Sequence, residues 1–495
     1  MIIFIKGPTE RKRVEIGQHD KLNKKIQELF QIDVFTLSLD EQNTQPVDGN
    51  NNITDLNITK GTTIYLHYDV IKKDVKREKD KLVCDHDNNA MCANCAPLDP
   101  WDEKYYLDKK IKYLSFNSYV EMCKYKNTDL SMEDYTVKAC TDHNKNIKCV
   151  NCQDKDIFLN PQRYRMVDHV EFDDYAMVEN FIKHWRDNRR QYFGILVGKY
   201  KPYDVVPLGC KVVVSGIWFP EQENYPDGFI IKESLDDDFL KNSGLEFVGM
   251  IYSDLIYDGR ITSRKIKEGF FLSSLEVDFI SKMQFMFPNF VDKKLFNSKF
   301  VTIVVTATEN NEVELKEYQV SSQCMALTRN RLIIPTEDPQ KFFTNKNIFY
   351  KTIEEDATLK TVKSEPFLPV DYFIVRLTHG NKQQPMFLDS TFVSNIFTHK
   401  KMAEYFDENY SFDKFSNFSL LMKIKNKVND FNRLLKCIVE NDREYFEEFV
   451  RSNDFKELIS PLQKFYKRAW TCEACTFYNE HNLDACEICE TPNFK

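Results

Sequence analysis

TCEACTFYNEHNLDACEICE, residues 471–490, sets two Cys-x-x-Cys pairs ten residues apart. Four thiolates at that spacing suit a tetrahedral metal shell, and zinc is the ion whose taste for sulfur and nitrogen ligands matches it. A module of about 25 residues buries too little apolar surface to fold unaided, so the metal must supply stability on the order of 10 kcal/mol. With the interior given over to the ion, apolar side chains on the knuckles are left for a partner. Thr476 and Phe477, just after the first pair, are candidates.

The same ligand chemistry recurs twice upstream. CDHDNNAMCANC (84–95) supplies Cys84, His86, Cys92 and Cys95, and CTDHNKNIKCVNC (140–152) supplies Cys140, His143, Cys149 and Cys152. Both sets end His-x5-Cys-x2-Cys. With Cys472, Cys475, Cys486 and Cys489 they make three sets of four, so three structural zinc ions are expected. Closed four-ligand shells leave no position for a reactive water, which makes these sites structural rather than catalytic. Of the fourteen cysteines, Cys123, Cys210, Cys324 and Cys437 stay outside the sets and read as core residues. A cross-braced RING also uses eight Cys and His ligands, but each upstream set closes within about a dozen residues and can chelate alone, so two sequential fingers are expected.

The chain of 495 residues has room for roughly three domains, and 42% apolar with 14% aromatic residues can fill their cores. A formal net charge of −8 argues against a nucleic-acid coat, and no nucleic-acid partner is expected. No run approaches the roughly 18 apolar residues a bilayer span needs, and MIIFIKGPTERKR is too short and wrongly flanked for a secretory signal. A soluble intracellular protein without direct membrane insertion is the expectation.

The fold class expected is multidomain α+β. Residues 1–70 read strand, helix, strand, strand, with Leu22, Ile26, Leu29 and Phe30 on one helical face, the pattern of a ubiquitin-like β-grasp. Residues 82–160 hold the twin fingers. Over 161–335, the runs YFGILVGKY (192–200), CKVVVSGIWF (210–219), FVGMIYSDLIY (247–257) and KFVTIVVTAT (299–308) predict a substantial sheet. Val178, Phe181, Ile182 and Trp185 recur at helical spacing as a core stripe. Residues 336–467 read as mainly helical after a strand in LPVDYFIVRLTH (368–379), and 418–452 as helical throughout; 468–495 is the terminal finger.

LNPQRYRMVDHVEF (159–172), WRDNRRQYFGILVGKY (185–200), FLSS (271–274) and QCMALTRN (323–330), following two such fingers, resemble the nuclear protein localization protein 4 family. The resemblance covers essentially the whole chain and implies, in order, a ubiquitin-like (UBX-like) domain, twin zinc fingers, an inactive MPN domain, a C-terminal domain and an Npl-type (RanBP2-type) zinc finger. Trp470, Asn479 and the four terminal cysteines fit that finger's spacing. In ubiquitin-binding members a Thr-Phe pair and one further apolar residue pack on ubiquitin, which implies that role for Thr476, Phe477 and Ile488. The implied partners are polyubiquitin, ubiquitin fusion degradation protein 1 and the hexameric AAA ATPase valosin-containing protein. The implied function is that of a non-enzymatic adaptor in cytoplasm and nucleus, reaching the ER or nuclear envelope through partners and delivering polyubiquitinated substrates for unfolding and proteasomal or ER-associated degradation.

Active MPN relatives hydrolyse isopeptide bonds with zinc held by His-x-His-Pro followed by Ser-x-x-Asp. GMIYSDLIYDGRITSRKIKEGFFLSSLEVDF (249–279) puts Tyr252 and Asp254 at the histidine positions, Leu255 at the proline, and Ser273 and Glu276 at the serine and acid. Without either imidazole the three-ligand site that activates water is lost, so no hydrolase activity is expected. A zinc-dependent MPN-type deubiquitinase and a zinc-dependent ubiquitin ligase are the rival readings. The chain has no Gly-x4-Gly-Lys-Ser/Thr loop, which leaves ATP hydrolysis to the partner.

Overall fold

The computed structural model describes residues 2–6, 11–17, 22–23, 25–26, 35–40, 47–49, 58, 61–67, 75, 77, 84–86, 90–92, 94–135, 149, 155–353, 359–382, 384–391, 398–466, 470–479 and 485–492. It forms two compact units, Met1–Asp99 and Pro100–Lys495. Among the described residues no helix is long and apolar enough to cross a membrane.

In the first unit, strands β1 (Ile2–Lys6), β2 (Arg11–Glu15), β3 (Thr36–Ser38) and β4 (Thr63–His67) pair in the order β2-β1-β4-β3. The central pair is parallel and the outer pairs antiparallel. Strand alternation sends Ile3, Ile5, Val14, Ile64 and Leu66 to one buried face, where Leu22 and Ile26, one helical turn apart, cover them. Leu29 and Phe30 lie outside the described residues.

The second unit is organised by one eight-stranded sheet. Among its elements are β5 (His169–Phe172), α1 (Ala176–Asn188), β6 (Phe193–Tyr203), β7 (Gly209–Trp218), β8 (Glu246–Ser253), α2 (Arg264–Glu268), α3 (Ser274–Met286), β9 (Val301–Ala307), β10 (Val313–Val320), α4 (Ser322–Arg329), β11 (Ile374–Arg376) and β12 (His379–Asn381). The strand order is β11-β10-β9-β8-β6-β7-β5-β12. The inner strands are buried on both faces, which is why they read as nearly continuous apolar runs. One face takes α1, whose Val178, Phe181, Ile182 and Trp185 are all buried against Leu196, Val212 and Ile303. The other face, carrying Phe193, Ile195, Val197 and Met250, is covered by α3, α4 and the C-terminal helices through residues such as Val277, Met325, Leu421 and Leu434.

One extended segment joins the two edges of this sheet. β11 pairs antiparallel with β10, Gln319 opposite Val375, and two residues later β12 pairs parallel with β5, Gly380 opposite Glu171. The connection continues both ladders: Leu377 N–H donates to Glu317 O at 3.0 Å, and Thr378 O accepts from Val170 N–H at 2.9 Å. The division expected at 335/336 therefore has no counterpart in space. An apolar sheet face needs a cover, and residues beyond 336 supply both that cover and two of the strands. Likewise Ile157–Leu159, assigned to the finger region on sequence, pairs with Ile348–Ile353.

The helical run expected over 418–452 is three helices, α5 (Phe418–Ile424), α6 (Phe431–Glu440) and α7 (Arg443–Arg451). Asn417, Asp430 and Asp442 each accept a hydrogen bond from a first-turn N–H, and Asn441 takes a left-handed conformation (φ 56°) that ends α6. α5 lies directly on β7: at Gly216, where the ladder slips register, a Cβ would stand 2.4 Å from the Phe418 ring. The four cysteines expected in cores, Cys123, Cys210, Cys324 and Cys437, are all buried.

Candidate metal centres and a buried ion cluster

In the first unit, Cys84, His86, Cys92 and Cys95 converge so that one ligand atom from each lies within 4.8 Å of the others. Cys92 Sγ is 3.6 Å from Cys84 Sγ and 3.8 Å from Cys95 Sγ, and His86 Nε2 is 3.2 Å from Cys95 Sγ. The backbone turns tightly between the last two ligands, with Cys95 N–H and Ala96 N–H both donating to Cys92 O. Val75 and Leu98 bridge below it, and Arg77 Nε donates to Ala96 O at 2.8 Å.

Of the second set, Cys149 is described and is half-buried, while Cys140, His143 and Cys152 lie outside the described residues.

The terminal set closes in the same way. Strands β13 (Trp470–Thr471) and β14 (Tyr478–Asn479) pair antiparallel, and Cys472, Cys475, Cys486 and Cys489 place their sulfurs within 4.8 Å of one another. Cys472 Sγ is 3.5 Å from Cys489 Sγ, and Cys475 Sγ is 3.4 Å from Cys486 Sγ. Each Cys-x-x-Cys forms the same knuckle: Cys472 N–H donates to Phe477 O and Thr476 N–H to Cys472 O, and Cys486 N–H donates to Thr491 O and Glu490 N–H to Cys486 O. Buried Asn479 ties the knuckles together, its Oδ1 accepting from Glu487 N–H at 3.0 Å. Spacing alone singles out Asn479 in the sequence; its work as a cross-strut emerges from the fold.

Zinc fits both described sets. Sulfur separations of 3.4–3.8 Å approach the roughly 3.8 Å edge of a tetrahedron with Zn–S bonds near 2.3 Å. On the terminal finger Thr476 is exposed, Phe477 is 37% exposed and Ile488 66%. Ile488 keeps most of its surface open, and Phe477 a little over a third.

A different cluster occupies the end of β8. Tyr252 OH donates to Glu276 Oε1 at 2.8 Å, and Ser273 donates to Glu276 Oε2 from both N–H (2.8 Å) and Oγ–H (2.9 Å). Ser273 Oγ also accepts from Glu276 N–H, so the Ser-x-x-Glu stretch is the capping box of α3. Lys265, from α2, enters between the carboxylates: its Nζ is 2.7 Å from Asp254 Oδ2 and 2.5 Å from Glu276 Oε1. Burial pushes Glu276 upward, but the Lys265 charge and the hydrogen bonds from Lys265, Ser273 and Tyr252 outweigh it and hold the carboxyl below its ordinary range. Burial also raises Asp254, against the pull of Lys265. For Lys265 itself burial works downward, yet Glu276 and Asp254 together raise it, so the ammonium stays charged. For a hydrolytic zinc the residues do not fit: neither histidine position offers a nitrogen, and a cation of the protein's own lies against both carboxylates. Lys265 escaped sequence reading because R-K-I-K-E has the look of any solvated helical turn.

Fold and site together define a mixed α/β multidomain protein with a zinc-binding region. The sequence pattern of the NPL4 family matches residues 192–463, and that of the family's zinc-binding region matches residues 62–189. Nuclear protein localization protein 4 of Yarrowia lipolytica is 32% identical over 76% of this chain and 76% of its own length. That of Saccharomyces cerevisiae is 32% identical over 79% and 78%, and the rat homolog 28% identical over 84% and 80%. The chain belongs to the NPL4 family.

Proposed function

We propose that this chain is a non-enzymatic ubiquitin-binding adaptor. With ubiquitin fusion degradation protein 1, it recruits polyubiquitinated substrates to the hexameric AAA ATPase valosin-containing protein for unfolding and degradation. The relatives' names speak of nuclear protein localization, which accords with the nuclear side of a role in nucleus and cytoplasm. The observation that carries the reading is the terminal finger, where Thr476, Phe477 and Ile488 are all exposed on two zinc knuckles, Ile488 over most of its surface and Phe477 over a little more than a third. Burying two such anchors offers about 1.5–3 kcal/mol each before the cost of association, so one finger binds weakly and polyubiquitin gains from linked contacts.

In this reading residues 1–70 form a ubiquitin-like β-grasp and, with the fingers of 82–160, dock on the ATPase. The sheet and helices of 161–466 offer a groove for an unfolded ubiquitin segment. A cavity of about 480 Å³ supports that assignment, with Met386, Leu388, Phe412 and Ile438 beside Lys199, Lys201 and Lys382. The zinc ions, held by the Cys and His sets, supply fixed backbone shape and no reaction step.

The test is a pull-down with polyubiquitin and the ATPase, comparing wild type with Thr476→Ala, Phe477→Ala. Loss of ubiquitin capture with ATPase binding kept supports separate docking and recognition parts; unchanged capture removes the finger from the recognition surface. Release of free ubiquitin by the purified chain would favour the deubiquitinase reading, and self-ubiquitination with activating and conjugating enzymes the ligase reading.

A further inference from the structure

The ion cluster at the end of β8 stands apart from the ubiquitin reading and depends on none of it. α2 carries three cations within four residues, and they are used differently. Arg264 pairs with Glu268 and Lys267 with Asp258 in exposed ion pairs, whereas the Lys265 side chain is 8% exposed and turned inward. Ser263 caps the helix, and Gly269, at φ 71°, ends it one turn later. A short, doubly capped helix thus holds one ammonium at a fixed place, with the Phe270 ring 5.9 Å away.

What surrounds that ammonium is an oxygen cage. Asp254 and Glu276 each present a carboxylate oxygen, with the Tyr252 hydroxyl on the same Glu276 oxygen and the Ser273 hydroxyl on the other. Two carboxylates and neighbouring hydroxyls are ligands for a hard divalent cation. At 2.7 and 2.5 Å from its two partners, Lys265 Nζ leaves no room for one between them.

We propose that Lys265 is the resident cation of this cluster, occupying the place a divalent metal ion would take between Asp254 and Glu276 and so excluding it. The site is a metal-free cation site filled from within the chain. Removing the ammonium while keeping both carboxylates converts it into a site for a hard divalent ion.

The test uses the full-length, zinc-loaded protein and Mn2+, which prefers oxygen and leaves the thiolate sets aside. Electron paramagnetic resonance titration counts bound Mn2+ in wild type, Lys265→Met and Lys265→Met, Glu276→Gln. The expectation is one additional Mn2+ per chain in Lys265→Met, bound at least tenfold more tightly than by wild type, and lost again in the double variant. Equal binding by wild type and Lys265→Met overturns the proposal. A measurement on wild type keeps it falsifiable should Lys265→Met not fold. The Lys265 ammonium resonance, followed by NMR, is expected to stay sharp and slowly exchanging in millimolar Mn2+. Selective paramagnetic broadening, absent in Glu276→Gln, would place the metal in the cage beside the lysine and sink the idea.

Discussion

Thr476 and Glu490 share one backbone conformation, φ 58° and 56°, each four residues after the first cysteine of its knuckle. For a β-branched residue that left-handed conformation is an outlier costing roughly 1–2 kcal/mol, partly regained by glycine, whose own entropy cost is about 0.5–1 kcal/mol. Strain kept where glycine would serve points to a use for the side chain. Thr476→Gly is expected to keep its zinc and hold or slightly raise the finger's melting temperature while weakening ubiquitin capture severalfold. Capture equal to wild type would remove the threonine side chain from the interface.

Zinc removal should act unevenly. The terminal finger has two-residue strands and little apolar interior, so its stability on the order of 10 kcal/mol comes from the ion. A strong chelator is expected to raise amide exchange across 470–492 first, leaving β6, β8 and β9 protected. Metal analysis of the untreated chain is expected to return three zinc ions.

Gly216 sets how closely α5 approaches the sheet. An added methyl meets the Phe418 ring at 2.4 Å, so Gly216→Ala should destabilise by about 1–3 kcal/mol through overpacking. Denaturant unfolding measures this, and Phe418→Leu in the same chain should return part of the loss. A neutral Gly216→Ala would mean that α5 floats on β7.

At the joined edges, His379 Nδ1 lies 2.5 Å from Glu317 Oε1. The Glu317 carboxylate beside it raises the His379 pKa against the opposing effect of burial. A base whose folded pKa is raised stabilises fully below its unfolded value, about 6.5, and loses that contribution as pH climbs through the folded value. Protection factors for 379–381 should therefore fall as pH rises above about 6.5. His169, lowered by burial, works in the opposite sense, so the comparison with Glu317→Gln isolates the pair. A pH dependence unchanged in Glu317→Gln would exclude it.

Local signals were legible in the sequence. The α1 stripe shows because four apolar residues at helical spacing need no distant partner, and the Cys84 and Cys472 sets show because metal ligands announce themselves by type and interval. What stayed hidden depends on distant partners. Lys265 meets Asp254 and Glu276 only after α2 and α3 converge, and nothing in LPVDYFIVRLTH tells that one end pairs with β10 and the other with β5. The break of 418–452 into three helices was visible in principle, since Asp430 and Asp442 are ordinary caps, but continuous amphipathic character masked it.

The strap formed by 374–381 has a consequence for anyone cutting the gene. A fragment stopping at 335 keeps six staves of the sheet and loses the piece that welds its margins, exposing unpaired backbone along both β5 and β10. Such a truncation should come out of cells as aggregate, because the two regions stand or fall as one folding unit.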